Sequence, residues 1–138
     1  MYKEIYLVDD EELINTLNAL QFRKLGLEDK VKSFTNPEWA LDNLRFREDS
    51  SERIIVFLDI NMPEMSGFEF LEFMYLEKFP QIIDVVIVTS SIMEDDLKMS
   101  KNFKKYVRGF VNKPLNMEDI QKYLKIDAPL PETPVTDF

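Results

Sequence analysis

The chain has 138 residues, 45% hydrophobic and 31% charged, enough for one soluble globular domain with a real core. It contains no cysteine and no histidine, which excludes disulfides, thiolate metal sites, Cys nucleophiles, Ser-His and His-metal catalysis, and any role as a phosphohistidine carrier. A net charge of −9 argues against a free-standing nucleic-acid binder. No apolar run approaches the roughly 20 residues of a membrane span. Met1-Tyr2-Lys3-Glu4 has no signal-peptide layout, so a cytoplasmic location is expected.

Strand-like and helix-like segments alternate, which predicts βαβ units and a parallel sheet. Ile5-Tyr6-Leu7-Val8 is the first strand and runs straight into Asp9-Asp10-Glu11-Glu12. Residues 11–25 read as a helix with Leu13, Leu17 and Leu20 on one face, Gly26 as its stop, and Asp10 or Glu11 available as its N-cap. A short second strand is predicted over 31–34. Asn36 and Pro37 open a helix that runs to about Phe46 and buries Trp39 or Ala40, with Leu44. Ile54-Ile55-Val56-Phe57-Leu58 reads as a strand buried on both faces and ends abruptly in Asp59.

A turn carrying Pro63 and Gly67 leads into the third helix, 66–77. Its Phe68, Phe70, Leu71, Phe73, Met74, Tyr75 and Leu76 exceed one buried stripe, which predicts either packing beneath the loops or a self-association face. Pro80 breaks the chain before the fourth strand, 85–88, which Thr89 ends. A helix over about 93–104 and a fifth strand over 109–112 follow, then Lys113-Pro114 and a fifth helix with Met117, Ile120 and Leu124 as its stripe. Between Lys98 and Lys113 lie six basic residues and no acid, either a solvated helix face or a docking surface for an acidic partner. No DNA-binding unit follows. Residues 127–138 hold three of the seven prolines and read as a flexible tail, too short for an output domain.

Two buried strands that each end in acid place Asp9, Asp10 and Asp59 at the carboxyl edge of the sheet, where open α/β sheets bind their ligands. Like charges so close need a cation, and oxygen-only ligands suit a hard divalent ion such as Mg2+ or Mn2+.

Four separated motifs, each after a predicted strand, carry a family resemblance. They are Asp9-Asp10, the Asp59-Ile60-Asn61-Met62-Pro63 run with Gly67, Val88-Thr89-Ser90, and Lys113-Pro114. In this order they resemble the receiver (CheY-like) domain of two-component response regulators, over residues 3–126. The resemblance implies a (βα)5 doubly wound parallel sheet, flavodoxin-like in its order 2-1-3-4-5, with helices on both faces. It implies one receiver domain over 1–126, in a stand-alone response regulator.

The resemblance further implies that Asp59 accepts a phosphoryl group from a sensor histidine kinase or histidine phosphotransfer protein. Mg2+ would be held directly by Asp10, mainly through water by Asp9, by Asp59, and by the backbone carbonyl of Asn61. Lys113, directed inward by Pro114, would reach the carboxylate and then the phosphoryl oxygens. The Thr89 hydroxyl would follow the phosphoryl group, with Ser90 and Ser91 as competitors and a hydroxyl tying down a turn as the plain alternative. Phe110 stands where receiver domains carry an aromatic switch, with ordinary core burial as its alternative. Ser66 departs from the Asp or Asn frequent at its position, but caps a helix as well.

The implied output is an unidentified downstream protein, met through the fourth helix, fifth strand and fifth helix, with a homodimer also open. No direct DNA binding, membrane contact or enzyme activity beyond self-phosphorylation and self-dephosphorylation is expected. Aspartyl-phosphate phosphatases of the haloacid dehalogenase type need Asp-x-Asp, and Asn61 takes the place of the second acid. A degenerate receiver used as a scaffold is opposed by the presence of every acid, Thr89 and Lys113.

Overall fold

The computed structural model describes residues 2–47 and 51–125. The tail read over 127–138 lies outside the described residues. Strands β1 (Glu4–Val8), β2 (Val31–Phe34), β3 (Ile54–Asp59), β4 (Ile83–Thr89) and β5 (Val107–Asn112) alternate with helices α1 (Glu12–Lys24), α2 (Pro37–Arg45), α3 (Gly67–Leu76), α4 (Glu94–Ser100) and α5 (Met117–Leu124). Every neighbouring pair of strands is parallel, in the expected order β2-β1-β3-β4-β5. All six residues of β3 are buried, because alternate side chains feed two cores. One core joins Ile5, Leu7, Ile55 and Phe57 to Phe22 of α1 and to Ile120 and Leu124 of α5. The other joins Tyr6, Val56 and Leu58 to Leu41 and Leu44 of α2 and to Phe70, Leu71 and Met74 of α3. No described helix is long and apolar enough to cross a membrane.

Local chemistry sets the helix starts. Asn36 accepts from the Glu38 N–H with Pro37 in the first turn, and Ser66 and Glu69 form a reciprocal capping box. Neither Asp10 nor Glu11 caps α1 through its side chain; Asp9 Oδ1 accepts from the Glu11 N–H instead. In α2 it is Ala40 that is buried, while Trp39 stands in solvent.

The first helix corrects the expected pattern. Leu13 is 67% exposed, and Leu17 and Leu20 are exposed with it, whereas α1 buries Asn15, Asn18 and Phe22. The leucine stripe is a true helical face, but two amides occupy the inward one because they bond main-chain groups there. In α3, Phe73, Tyr75 and Leu76 remain exposed, so packing beneath the loops does not absorb the excess apolar surface.

α4 is shorter than expected, giving way to a 3-10 turn over Lys101–Phe103, and it buries none of its residues. β4 starts earlier than expected and thereby brings Asp84 into the sheet at its amino edge. Buried Asp84 accepts from the Tyr2 hydroxyl and from Arg53, and from Arg108 Nε at 2.9 Å. The basic run is thus divided: Arg108 serves Asp84 at one end of β5, and Lys113 lies beyond the other end. Lys105, ahead of β5, rests over the rings of Tyr75 and Tyr106.

Candidate functional site

Register brings the strand ends together. Val8 is level with Leu58, so the next residues, Asp9 and Asp59, emerge side by side. Thr89 is level with Asn112, and the Lys113 N–H donates to the Thr89 carbonyl at 2.9 Å. Asp9, Asp10 and Asp59 each offer a carboxylate oxygen, all within 4.8 Å of one another. Lys113 Nζ lies 2.7 Å from Asp9 Oδ2 and 3.2 Å from Asp59 Oδ2. The Lys113–Pro114 bond is cis.

Asp59 is 2% exposed. Its Oδ1 accepts from the Asn61 N–H at 3.0 Å, and among the described residues its Oδ2 meets only the Lys113 ammonium, as an ion pair. Burial pushes the Asp59 carboxyl above its ordinary range; the charge of Asp9 adds to this, while the Asn61 N–H and Lys113 oppose it. Burial alone would lower the Lys113 ammonium, but the bond to Asp9 and the charges of Asp9 and Asp59 outweigh it and raise it. Lys113 is therefore a fixed cation at neutral pH. Three carboxylates against one ammonium leave an excess of negative charge. An oxygen-only donor set that includes a buried carboxylate oxygen met only by one ammonium fits a hard divalent cation.

The turn after β3 is held from below. The Gly67 N–H donates to the Ile60 carbonyl at 3.1 Å. Met62 and Met65 are buried and pack into the core, while Pro63 lies exposed on the turn. Asn61, two residues beyond the end of β3, is exposed. Thr89 is fully buried, and its hydroxyl donates to the Ser91 carbonyl at 3.1 Å and accepts from the Ser91 N–H at 3.4 Å. That is the turn-tying role set out as the alternative for this residue. Phe110 is half-buried and packs against the α2–α3 core.

Two residues near the site escape sequence reasoning. Asn15 donates to the carbonyls of Asp9 and Phe34, and Asn18 accepts from the Leu115 N–H. The available signal was a pair of amides three residues apart on an otherwise amphipathic helix.

The profile of the response regulator receiver domain matches residues 5–125. The chain belongs to that family. This receiver domain is 29% identical over 120 residues to the probable methanogenesis regulatory protein FilR2 of Methanothrix harundinacea (strain 6Ac), covering 86% of this chain and 76% of the relative. It is 28% identical over 117 residues to the two-component response regulator ORR26 of Oryza sativa subsp. japonica, covering 85% of this chain but only 19% of the plant protein. Among solved structures, the receiver domain matches chemotaxis protein CheY4 of Vibrio cholerae with a TM-score of 0.73 at 22% identity, over 91% of this chain and 98% of that one. It matches a response regulator receiver protein of Dyadobacter fermentans DSM 18053 with a TM-score of 0.74 at 23% identity, over 88% and 94% of the two chains. At these identities the structural likeness speaks for the fold.

Proposed function

We propose that this receiver domain accepts a phosphoryl group on Asp59 from the phosphohistidine of a sensor histidine kinase or phosphotransfer protein, in a divalent-cation-dependent reaction, and thereby switches the binding of a downstream protein. The observation that carries this reading is Asp59 Oδ2, a buried carboxylate oxygen without a hydrogen bond, faced by the Lys113 ammonium. An oxygen so placed is a nucleophile held in position rather than a structural acceptor. In the transfer a bond forms from the Asp59 carboxylate to phosphorus as the P–N bond breaks, and its electron pair returns to the imidazole, which takes up a proton.

Asp10, Asp59 and the Asn61 carbonyl would hold Mg2+ or Mn2+, with Asp9 acting mainly through water; the ion supplies charge neutralisation for the phosphoryl oxygens. Lys113 would shift its ion pair from the Asp59 carboxylate to a phosphoryl oxygen. Thr89 gives up Ser91 to donate to another of these oxygens, and Phe110 turns inward as the hydroxyl moves. The altered face is that of α4, β5 and α5. α4 suits this role because no side chain of it is buried, so its displacement breaks little packing. A kinase phosphohistidine made from cytoplasmic ATP puts the reaction in the cytoplasm.

Acetyl phosphate with Mg2+ tests the reading. The expected product is a base-labile acyl phosphate on the unaltered protein and none on Asp59→Asn. Undiminished labelling of the variant would remove Asp59 as the acceptor.

A further inference from the structure

The inward face of α1 carries Asn15 and Asn18, where a helix packed on a sheet ordinarily places apolar side chains. They are 3% and 4% exposed. Asparagine is unfavourable inside a helix, and burying an amide costs free energy unless its polar atoms are bonded. Asn15 does not even achieve full satisfaction, since its buried Oδ1 has no hydrogen-bond partner among the described residues. The fold keeps both amides despite those costs, and the bonds they make are all to main chain.

Asn15 Nδ2 donates to the Asp9 carbonyl at 3.0 Å and to the Phe34 carbonyl at 3.1 Å, joining the ends of β1 and β2. Asn18 Oδ1 accepts from the Leu115 N–H at 3.0 Å, two residues after Lys113. Three residues apart on one helix, the amides face the same way. They therefore fasten the chain at Asp9 and the chain just beyond Lys113 to a single rod. Asp9 and Lys113 are the residues whose side chains then meet at 2.7 Å.

We propose that Asn15 and Asn18 are positioning residues of the phosphoacceptor site, an inference that rests on the reading of Asp59 given above. Neither touches the reacting atoms. Asn15 fixes the main chain at Asp9 and with it the direction in which Asp10 leaves β1, so it governs the metal side. Asn18 fixes the loop that delivers Lys113, so it governs the cation side. A geometry error of about 1 Å at a reacting centre costs on the order of a hundredfold in rate.

The test is the pair Asn15→Leu and Asn18→Leu, each near-isosteric and apolar, with Asn15→Ala and Asn18→Ala in reserve if a leucine variant does not fold. Three quantities are read: the melting temperature, the Mg2+ dissociation constant by calorimetry, and the acetyl phosphate labelling rate at saturating Mg2+. Asn15→Leu should weaken Mg2+ binding at least fivefold and leave the saturated rate within twofold. Asn18→Leu should slow the saturated rate at least fivefold and leave Mg2+ binding within twofold. Melting temperatures should fall in both variants, because the Asp9 carbonyl and the Leu115 N–H each lose a partner; the opposite split of Mg2+ affinity and rate between the two is what a purely structural role would not give. Folded variants with unaltered Mg2+ affinity and rate, or with both quantities reduced alike, would overturn the proposal and leave the acceptor reading intact. Unaltered protein that takes no label would overturn the acceptor reading, and the positioning proposal with it.

Discussion

Gly67 stands so close to Asp59 that a Cβ there would lie 2.6 Å from the Asp59 carbonyl oxygen, and 2.8 Å from the Cα of Ile60. Both neighbours are backbone and cannot swing aside. Gly67→Ala must therefore move the turn that carries the acceptor, at a cost of about 1–3 kcal/mol. Labelling of Asp59 should fall more than tenfold in the folded variant. Thermal unfolding and acetyl phosphate labelling check the two effects together, and unaltered values would mean that the turn yields freely.

Lys113→Met leaves Asp9 and Asp59 buried without their shared cation. Breaking such a pair from one side costs about 3–5 kcal/mol. The metal-free variant should melt far below the parent, and Mg2+ should restore more stability to it than to the parent, because the ion no longer competes with an ammonium. Labelling should drop even at saturating Mg2+. Denaturant titrations with and without Mg2+ measure the difference; equal Mg2+ effects in both proteins would contradict the competition.

Asp9 already spends Oδ1 on the Glu11 N–H and Oδ2 on Lys113, whereas Asp10 makes no hydrogen bond or ion pair with a described residue. Asp10→Ala should consequently weaken Mg2+ binding more than Asp9→Ala. For the unaltered protein, Mg2+ at a hundred times its dissociation constant should add about 2.7 kcal/mol of stability. Calorimetry on the three proteins decides the order, and equal affinities would refute a directly ligating Asp10.

How much of this was legible in the sequence depends on where the polar groups fall. Asp59, Thr89 and Lys113 each end or follow an apolar strand, so the chain itself announces them, and parallel register brings them to one edge. Asn15 and Asn18 are silent in a hydropathy pattern, which sees Leu13, Leu17 and Leu20 and turns the helix the wrong way. Only the partners explain the inversion, and Leu115 is 97 residues from Asn18. Asp84 was hidden for the same reason, its partners Tyr2, Arg53 and Arg108 lying on three separate stretches of chain.

Burial alone would raise the Asp84 carboxyl, but its bonds to Tyr2, Arg53 and Arg108 outweigh it and hold it below the ordinary value of 3.8. Tyr2 is pushed up to about 12 by burial and by Asp84, so it stays a neutral donor. A depressed carboxylate contributes stability that is complete above its unfolded value and is lost as pH falls through the folded one. Asp84→Asn should cost about 1–3 kcal/mol at pH 7, the arginines being 47% and 40% exposed and so partly screened. That cost should shrink as both proteins are acidified below about pH 4. Melting temperatures from pH 7 to pH 2 record it, and a constant gap would exclude Asp84 as the source.

Beryllofluoride with Mg2+ should draw the Thr89 hydroxyl away from Ser91, leaving the Ser91 N–H unbonded and faster to exchange. Exchange along α4 should change with it, by an amount typical of coupled sites, about 1–3 kcal/mol. Thr89→Ala should retain labelling and lose the α4 response. Changes confined to residues 59–67 would place the output face elsewhere.

Asp84 and Thr89 belong to the same strand, one at each end of β4. The side chain of the first is pinned by two arginines and a tyrosine, and the side chain of the second is held only within its own turn, while its main chain is tied to β5. β4 is clamped along its length by β3 and β5, so at its carboxyl end it is the Thr89 side chain, and not the strand, that has room to turn. On the reading proposed above, a pull on that hydroxyl would reach Ser91 and the chain leading into α4 before it reached the anchored end of the strand.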